Sequence, residues 1–216
     1  MASSINGLLK SAGVNPNRLH TIRWGEPMRN STIGIFFVSL SAKPDANAMV
    51  LSEAPLDETK LSAWISSPGD ILCLDGEPCT DTGLLRQRMN QFWLPEESIV
   101  YIGQVFSMGG IKKRIDQLYK TGPGKRMQNV DGYWIKSLRN LNEMYIHYIS
   151  VMNAEQISAG IIARFSSQAK CGPNVRPDKL ASETIVPFAN LQNKMPYLKN
   201  HGITWVKRMQ QAEKLS

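Results

Sequence analysis

Lys112, Lys113, Lys120, Lys125 and Arg126 crowd around the glycine-rich turn Thr121-Gly122-Pro123-Gly124-Lys125-Arg126. Cations at that density suit contact with a phosphate backbone, and they suit a solvated turn as well. The turn lacks the remaining residues of a nucleoside-triphosphate loop, which excludes ATP or GTP binding by that route. One more cation is set apart by its position. If residues 111–120 form a helix, Ile111, Ile115 and Leu118 make one apolar stripe; Arg114 borders that stripe and Lys113 falls on the opposite side. Arg114 is therefore the cation expected close to the core. A carboxylate, Glu155, stands at the flank of a second stripe made by Ile157, Ile161 and Phe165. It follows the expected helix cap Asn153 by two positions, where the helix dipole favours a carboxylate by roughly 0.3–1 kcal/mol whatever its function.

Cys73, Cys79 and Cys171 are odd in number and lack two-residue spacing, and His20, His147 and His201 are scattered. Reduced thiols and no zinc site are expected. The net charge of +7 is unevenly spread. Residues 1–40 carry +3, residues 41–100 carry −6, and residues 101–150 and 151–216 carry +5 each. Excess cations in the C-terminal half are what phosphate neutralisation requires, because Lys and Arg release counterions condensed on a nucleic acid. Charge alone does not separate that use from a solvated basic surface. The acidic stretch would repel phosphates, so it is expected to fold away from any bound nucleic acid.

These side chains need a scaffold, and 216 residues suffice for one core with an insertion or a short appendage. No stretch reaches the roughly 18 apolar residues of a membrane span, and the N-terminus lacks the pattern of a signal peptide. A cytoplasmic protein without membrane contact is expected. Residues 3–13 read as a short helix and residues 14–27 as loop, together an N-terminal arm over 1–31. Residues 32–41 are a β-prone apolar run buried on both faces. Two helical patterns, capped by Asp57 and by Thr80 or Asp81, lie in the acidic segment 42–97. A strand over 98–105 runs through Gly109-Gly110 into the helix that carries Arg114. A short helix capped by Asp131, a strand within 143–151, the helix after Asn153 and a last helix over about 196–214 complete the chain. Tyr133 and Trp134 interleave with Ile135 and Leu138 in a helical pattern and are expected in the core.

Gly34-Ile35-Phe36 and Tyr101-Ile102-Gly103, with an arginine on the first following helix, a glutamate on the second and an asparagine further on, resemble the GIY-YIG nuclease superfamily. The likeness covers residues 32–40 and 98–192. It implies an α/β fold in which a small, mostly antiparallel three-stranded sheet is flanked by helices, in a domain over 32–192 with the insertion at 42–97 and a C-terminal helix over 193–216. The chemistry implied is metal-dependent hydrolysis of phosphodiester bonds in DNA. Glu155 would hold one Mg²⁺ or Mn²⁺, a hard cation suited to carboxylate and water. Arg114 would grip the scissile phosphate with its fork of donors. Tyr101 would orient or deprotonate the attacking water, with a nearby cation lowering its pKa from about 10. Asn190 would tie the C-terminal segment to the site. Lys112, Lys113, Lys120, Lys125, Arg126 and Lys136 would contact double-stranded DNA, and cutting both strands with one such site would call for a homodimer. Phe36 departs from the family's tyrosine, and Leu118 stands where many members have a histidine; Tyr119, Tyr133 or Lys136 are the substitutes at hand. The rival expectation is a non-catalytic nucleic-acid-binding protein that retains the fold.

Overall fold

The computed structural model describes residues 3–29, 32–67, 69–107, 109–122, 130–169, 185–191 and 201–207. Strand β1 is His20–Arg23, β2 Gly34–Ser39, β3 Asp70–Leu74, β4 Glu77–Pro78, β5 Ile99–Val105, β6 Tyr145–Ser150 and β7 Ile203–Lys207. The helices are α1 (Ile5–Ser11), α2 (Glu58–Ile65), α3 (Thr82–Asn90), α4 (Gly110–Lys120), α5 (Val130–Lys136) and α6 (Ala154–Gln168). Among the described residues these give a mixed α/β protein with two antiparallel sheets, one of order β1-β6-β2-β5 and one of order β4-β3-β7. None of the described helices is long and apolar enough to cross a membrane.

The apolar run Gly34–Ser39 becomes the interior strand β2, buried at every position. Its alternate side chains divide the core, as the two-residue period of a strand requires. Phe36 and Val38 pack with Ile111, Ile115 and Leu118 of α4. Ile35 and Phe37 pack with Ile161, Ile162 and Phe165 of α6 and with Ile5, Leu8 and Leu9 of α1. Helices α4 and α6 therefore cover opposite faces of the sheet. Both motif glycines have steric reasons. Gly34 sits at φ +152°, and a Cβ there would lie 2.0 Å from the Ile149 carbonyl oxygen of β6. At Gly103 a Cβ would meet the Phe36 ring at 2.3 Å and the Tyr101 ring at 2.8 Å, so the missing side chain is what lets those rings pack across β5.

The sheet is wider than the three strands expected. His20–Arg23, read as loop, pairs with β6 in register from His20 with Tyr148 to Arg23 with Tyr145. Buried His147 anchors this edge. Its Nε2 donates to the Ser41 carbonyl at 2.9 Å, which leaves Nδ1 to accept from the Thr21 hydroxyl at 2.9 Å. Burial holds this imidazole below its ordinary pKa and hence neutral. The acidic segment packs into the body of the fold. Trp64 and Leu61 of α2, Leu72 of β3 and Leu85 of α3 share one core with Trp134 and Ile135 of α5. The Ser137 carbonyl accepts from Asp57 N–H at 2.9 Å, and Arg139 N–H donates to the Pro55 carbonyl at 2.8 Å. Residues 203–207, expected within a helix, form β7 beside β3, with Leu72 opposite Trp205.

Helix α1 is tied to the body by a buried carboxylate. Both oxygens of Glu97 accept from Ser3 N–H, at 3.3 and 3.2 Å. Burial raises this group to about pKa 7, against the partial relief from the Ser3 N–H. The folded protein thus keeps a proton that the unfolded chain loses near its ordinary value of 4.5. This contribution to stability is complete below about pH 4.5 and is lost as pH rises to about 7, a change of roughly 3 kcal/mol. Urea unfolding at mildly acid and mildly alkaline pH checks it. Glu97→Gln is expected to remove that slope, and equal pH dependence in variant and wild type would show that Glu97 does not titrate with folding.

Candidate nucleic-acid interface

Tyr101 and Arg114 meet because β5 turns tightly into α4. Gly110, at φ +62°, makes that turn possible without strain, its N–H donates to the Ser107 carbonyl at 2.9 Å, and Ile111 N–H donates to the Thr32 carbonyl at 2.8 Å. The apolar stripe Ile111, Ile115 and Leu118, buried as its periodicity predicts, seats α4 on the Phe36 face. Arg114 borders the stripe with 29% of its side chain exposed, and Tyr101 lies below it at 5% exposure.

Asp131 joins them. Read from sequence as a helix cap, it is instead in the first turn of α5 and almost buried. Its Oδ2 accepts from the Tyr101 hydroxyl at 3.2 Å and lies 3.9 Å from Arg114 Nη2, and its Oδ1 accepts from Leu191 N–H at 3.2 Å. One carboxylate thus links β5, α4 and the C-terminal segment. The sequence did hold a signal for it: Asp131 lies on the same helical stripe as Trp134, Ile135 and Leu138, and a charge on an apolar stripe needs a partner.

Asn190 also converges on this site. Its side-chain oxygen accepts from Ile102 N–H at 2.9 Å and its Nδ2 donates to the Ile102 carbonyl at 2.8 Å, so the amide pairs with β5 as a neighbouring strand would. Ala189 N–H donates to the Val100 carbonyl at 2.9 Å and extends this pairing.

Glu155 is exposed in the first turn of α6, on the helix that covers the other face of the sheet. The structure does not bring it to the Tyr101–Arg114 cluster. Its expected part as the ligand of Mg²⁺ or Mn²⁺ would be played from the helix opposite to the one that carries Arg114. Asp131 accepts two hydrogen bonds and lies beside a guanidinium, so its charge is already partly offset. Burial first, and the Asp131 charge second, push the Tyr101 pKa upward, while the charge and hydrogen bond of Arg114 only partly oppose them. The Tyr101 hydroxyl donates a hydrogen bond to Asp131.

The expected cations divide. The Lys112 ammonium donates to the Met28 carbonyl at 3.0 Å and that of Lys136 to the Tyr119 carbonyl at 3.1 Å, so both are anchored within the fold. Lys113 and Lys120 are exposed on α4. Lys125 and Arg126 lie outside the described residues. Tyr119 and Tyr133, considered as substitutes for a histidine, donate to the carbonyls of Glu26 at 3.2 Å and Gly122 at 3.0 Å. Between the end of β5 and α4 runs a groove of about 290 Å³, lined in part by Phe106, Ser107, Lys113, Arg114 and Gln117. No protein family, curated protein or solved structure matches this chain.

Proposed function

We propose that this chain binds nucleic acid through the outer face of α4, on a scaffold that resembles the GIY-YIG nucleases without their cutting chemistry. The observation that carries this reading is the division of α4. Ile111, Ile115 and Leu118 are fully buried, while Lys113 and Lys120, two turns apart on one face, stand in solvent and Arg114 lines the groove beside them. A rigid helix that presents cations at a groove is a means of neutralising phosphates. The surplus of basic residues from 101 onward agrees with it. Binding labelled oligonucleotides over a salt series tests the reading. The affinity should fall with a slope of roughly −0.9 per phosphate neutralised on duplex DNA. Lys113→Gln and Lys120→Gln should each flatten that slope by about 1. Salt-independent binding, or none, counts against it.

The second reading is a metal-dependent endonuclease that cuts double-stranded DNA. The convergence of Tyr101, Arg114 and Asn190 favours it; the place of Glu155 and the pairing of Asp131 disfavour it. Incubation of plasmid DNA with Mg²⁺ or Mn²⁺ separates the two. Cleavage that Glu155→Ala abolishes would restore the hydrolytic reading, and intact plasmid with salt-dependent binding supports the one preferred.

A further inference from the structure

We propose that the groove between the end of β5 and α4 receives an unpaired nucleotide, with its base stacked on Phe106 and its phosphate held by Lys113 and Arg114. This rests on the reading of the chain as a nucleic-acid-binding protein and names the form of nucleic acid the site takes. Phe106 follows the last residue of β5 and is 66% exposed, whereas Phe36, Phe37, Phe165 and Phe188 are almost completely buried. A single exposed apolar side chain is ordinary on a protein surface. This one lines the same groove as two cations, which is the composition of a single-strand site: an aromatic platform beside a basic track.

The geometry around it favours that use. The tight turn at Gly110 sets Phe106 and α4 on either side of the groove. The Lys113 stem folds back across Gly109, where a Cβ would meet its Cδ at 2.4 Å, so the cation is carried toward the N-terminal end of α4 rather than away from it. Gly109 supplies no side-chain cap, and the positive end of the helix dipole adds to the potential at that end. Asp131 offsets part of the Arg114 charge, which leaves Lys113 the larger share of the attraction. Ser107 and Gln117 supply polar groups for the edge of a base. A base in a duplex already has both faces covered by its neighbours, so the Phe106 ring selects an unpaired one.

The test measures binding of labelled oligo(dT), oligo(U) and a duplex of equal length to the full chain. Phe106→Ala should weaken single-strand binding roughly 5- to 150-fold and change duplex binding less than about twofold. The strand whose binding falls identifies DNA or RNA as the source. Phe106→Trp should retain affinity, and its indole fluorescence should be quenched when the strand binds. Single-strand affinity untouched by Phe106→Ala in a protein that binds oligonucleotides overturns the stacking site and leaves nucleic-acid binding standing. A wild-type protein that binds none of the three overturns both.

Discussion

Trp134→Ala is expected to destabilise the fold by about 3–5 kcal/mol, read as a large fall in the urea midpoint at constant pH. Trp134 is 1% exposed on α5. Its ring lies 5.8 Å from that of Phe92, 4.9 Å from Phe188 and 5.6 Å from His201. These neighbours come from the acidic segment, the C-terminal segment and the approach to β7, so a single indole fills the space where three distant stretches of chain meet. Removing it leaves a cavity among rings that belong to separate elements, which sets the loss in the range of large-to-small core changes. A loss below about 1 kcal/mol would mean that these stretches pack independently of α5.

The contrast between Asp131→Ala and Asp131→Asn should be nearly as large and more informative. Alanine removes the acceptor of the Tyr101 hydroxyl and of Leu191 N–H together with the carboxylate beside a partly buried guanidinium, at a cost of about 3 kcal/mol. Asparagine keeps an acceptor and removes the charge, so the stability loss should be smaller. Arg114 would then act on phosphate at full strength. Oligonucleotide affinity of Asp131→Asn is expected to rise severalfold, with a salt slope steeper by about 1. Unchanged affinity in a folded Asp131→Asn protein would show that Arg114 does not meet the nucleic acid.

How far the sequence could be read depended on whether a feature was local. Strands β2 and β5 were legible because a strand buried on both faces is written as an apolar run. The cap Asp57, and Asp81 as one of two neighbouring candidates, were legible because the first accepts from Lys60 N–H and the second from Gly83 N–H, within one turn of the chain. Strand β1 was not, since a four-residue edge strand that is mostly exposed has no apolar alternation to show. For β7 the spacing of Ile203 and Val206 suits a helix as well as a strand, and pairing with β3 decides it. Glu155 illustrates the limit most plainly. Helical periodicity tells which residues flank the buried stripe, and it gives the same answer whichever face of the sheet the helix covers. That face follows from how the chain crosses the sheet between β6 and α6, which no residue spacing records.

The pairing of β1 with β6 and of β3 with β7 has a consequence for synthesis. A chain made from its N-terminus offers His20–Arg23 no partner until residue 150 is available, and Asp70–Leu74 lacks its long neighbour until residue 207. Pairings so distant in sequence slow folding and leave strand edges open meanwhile. The waiting hairpin also carries the free thiols Cys73 and Cys79, which the finished core buries. Until those partners are made, these strand edges and thiols depend on protection from aggregation and oxidation.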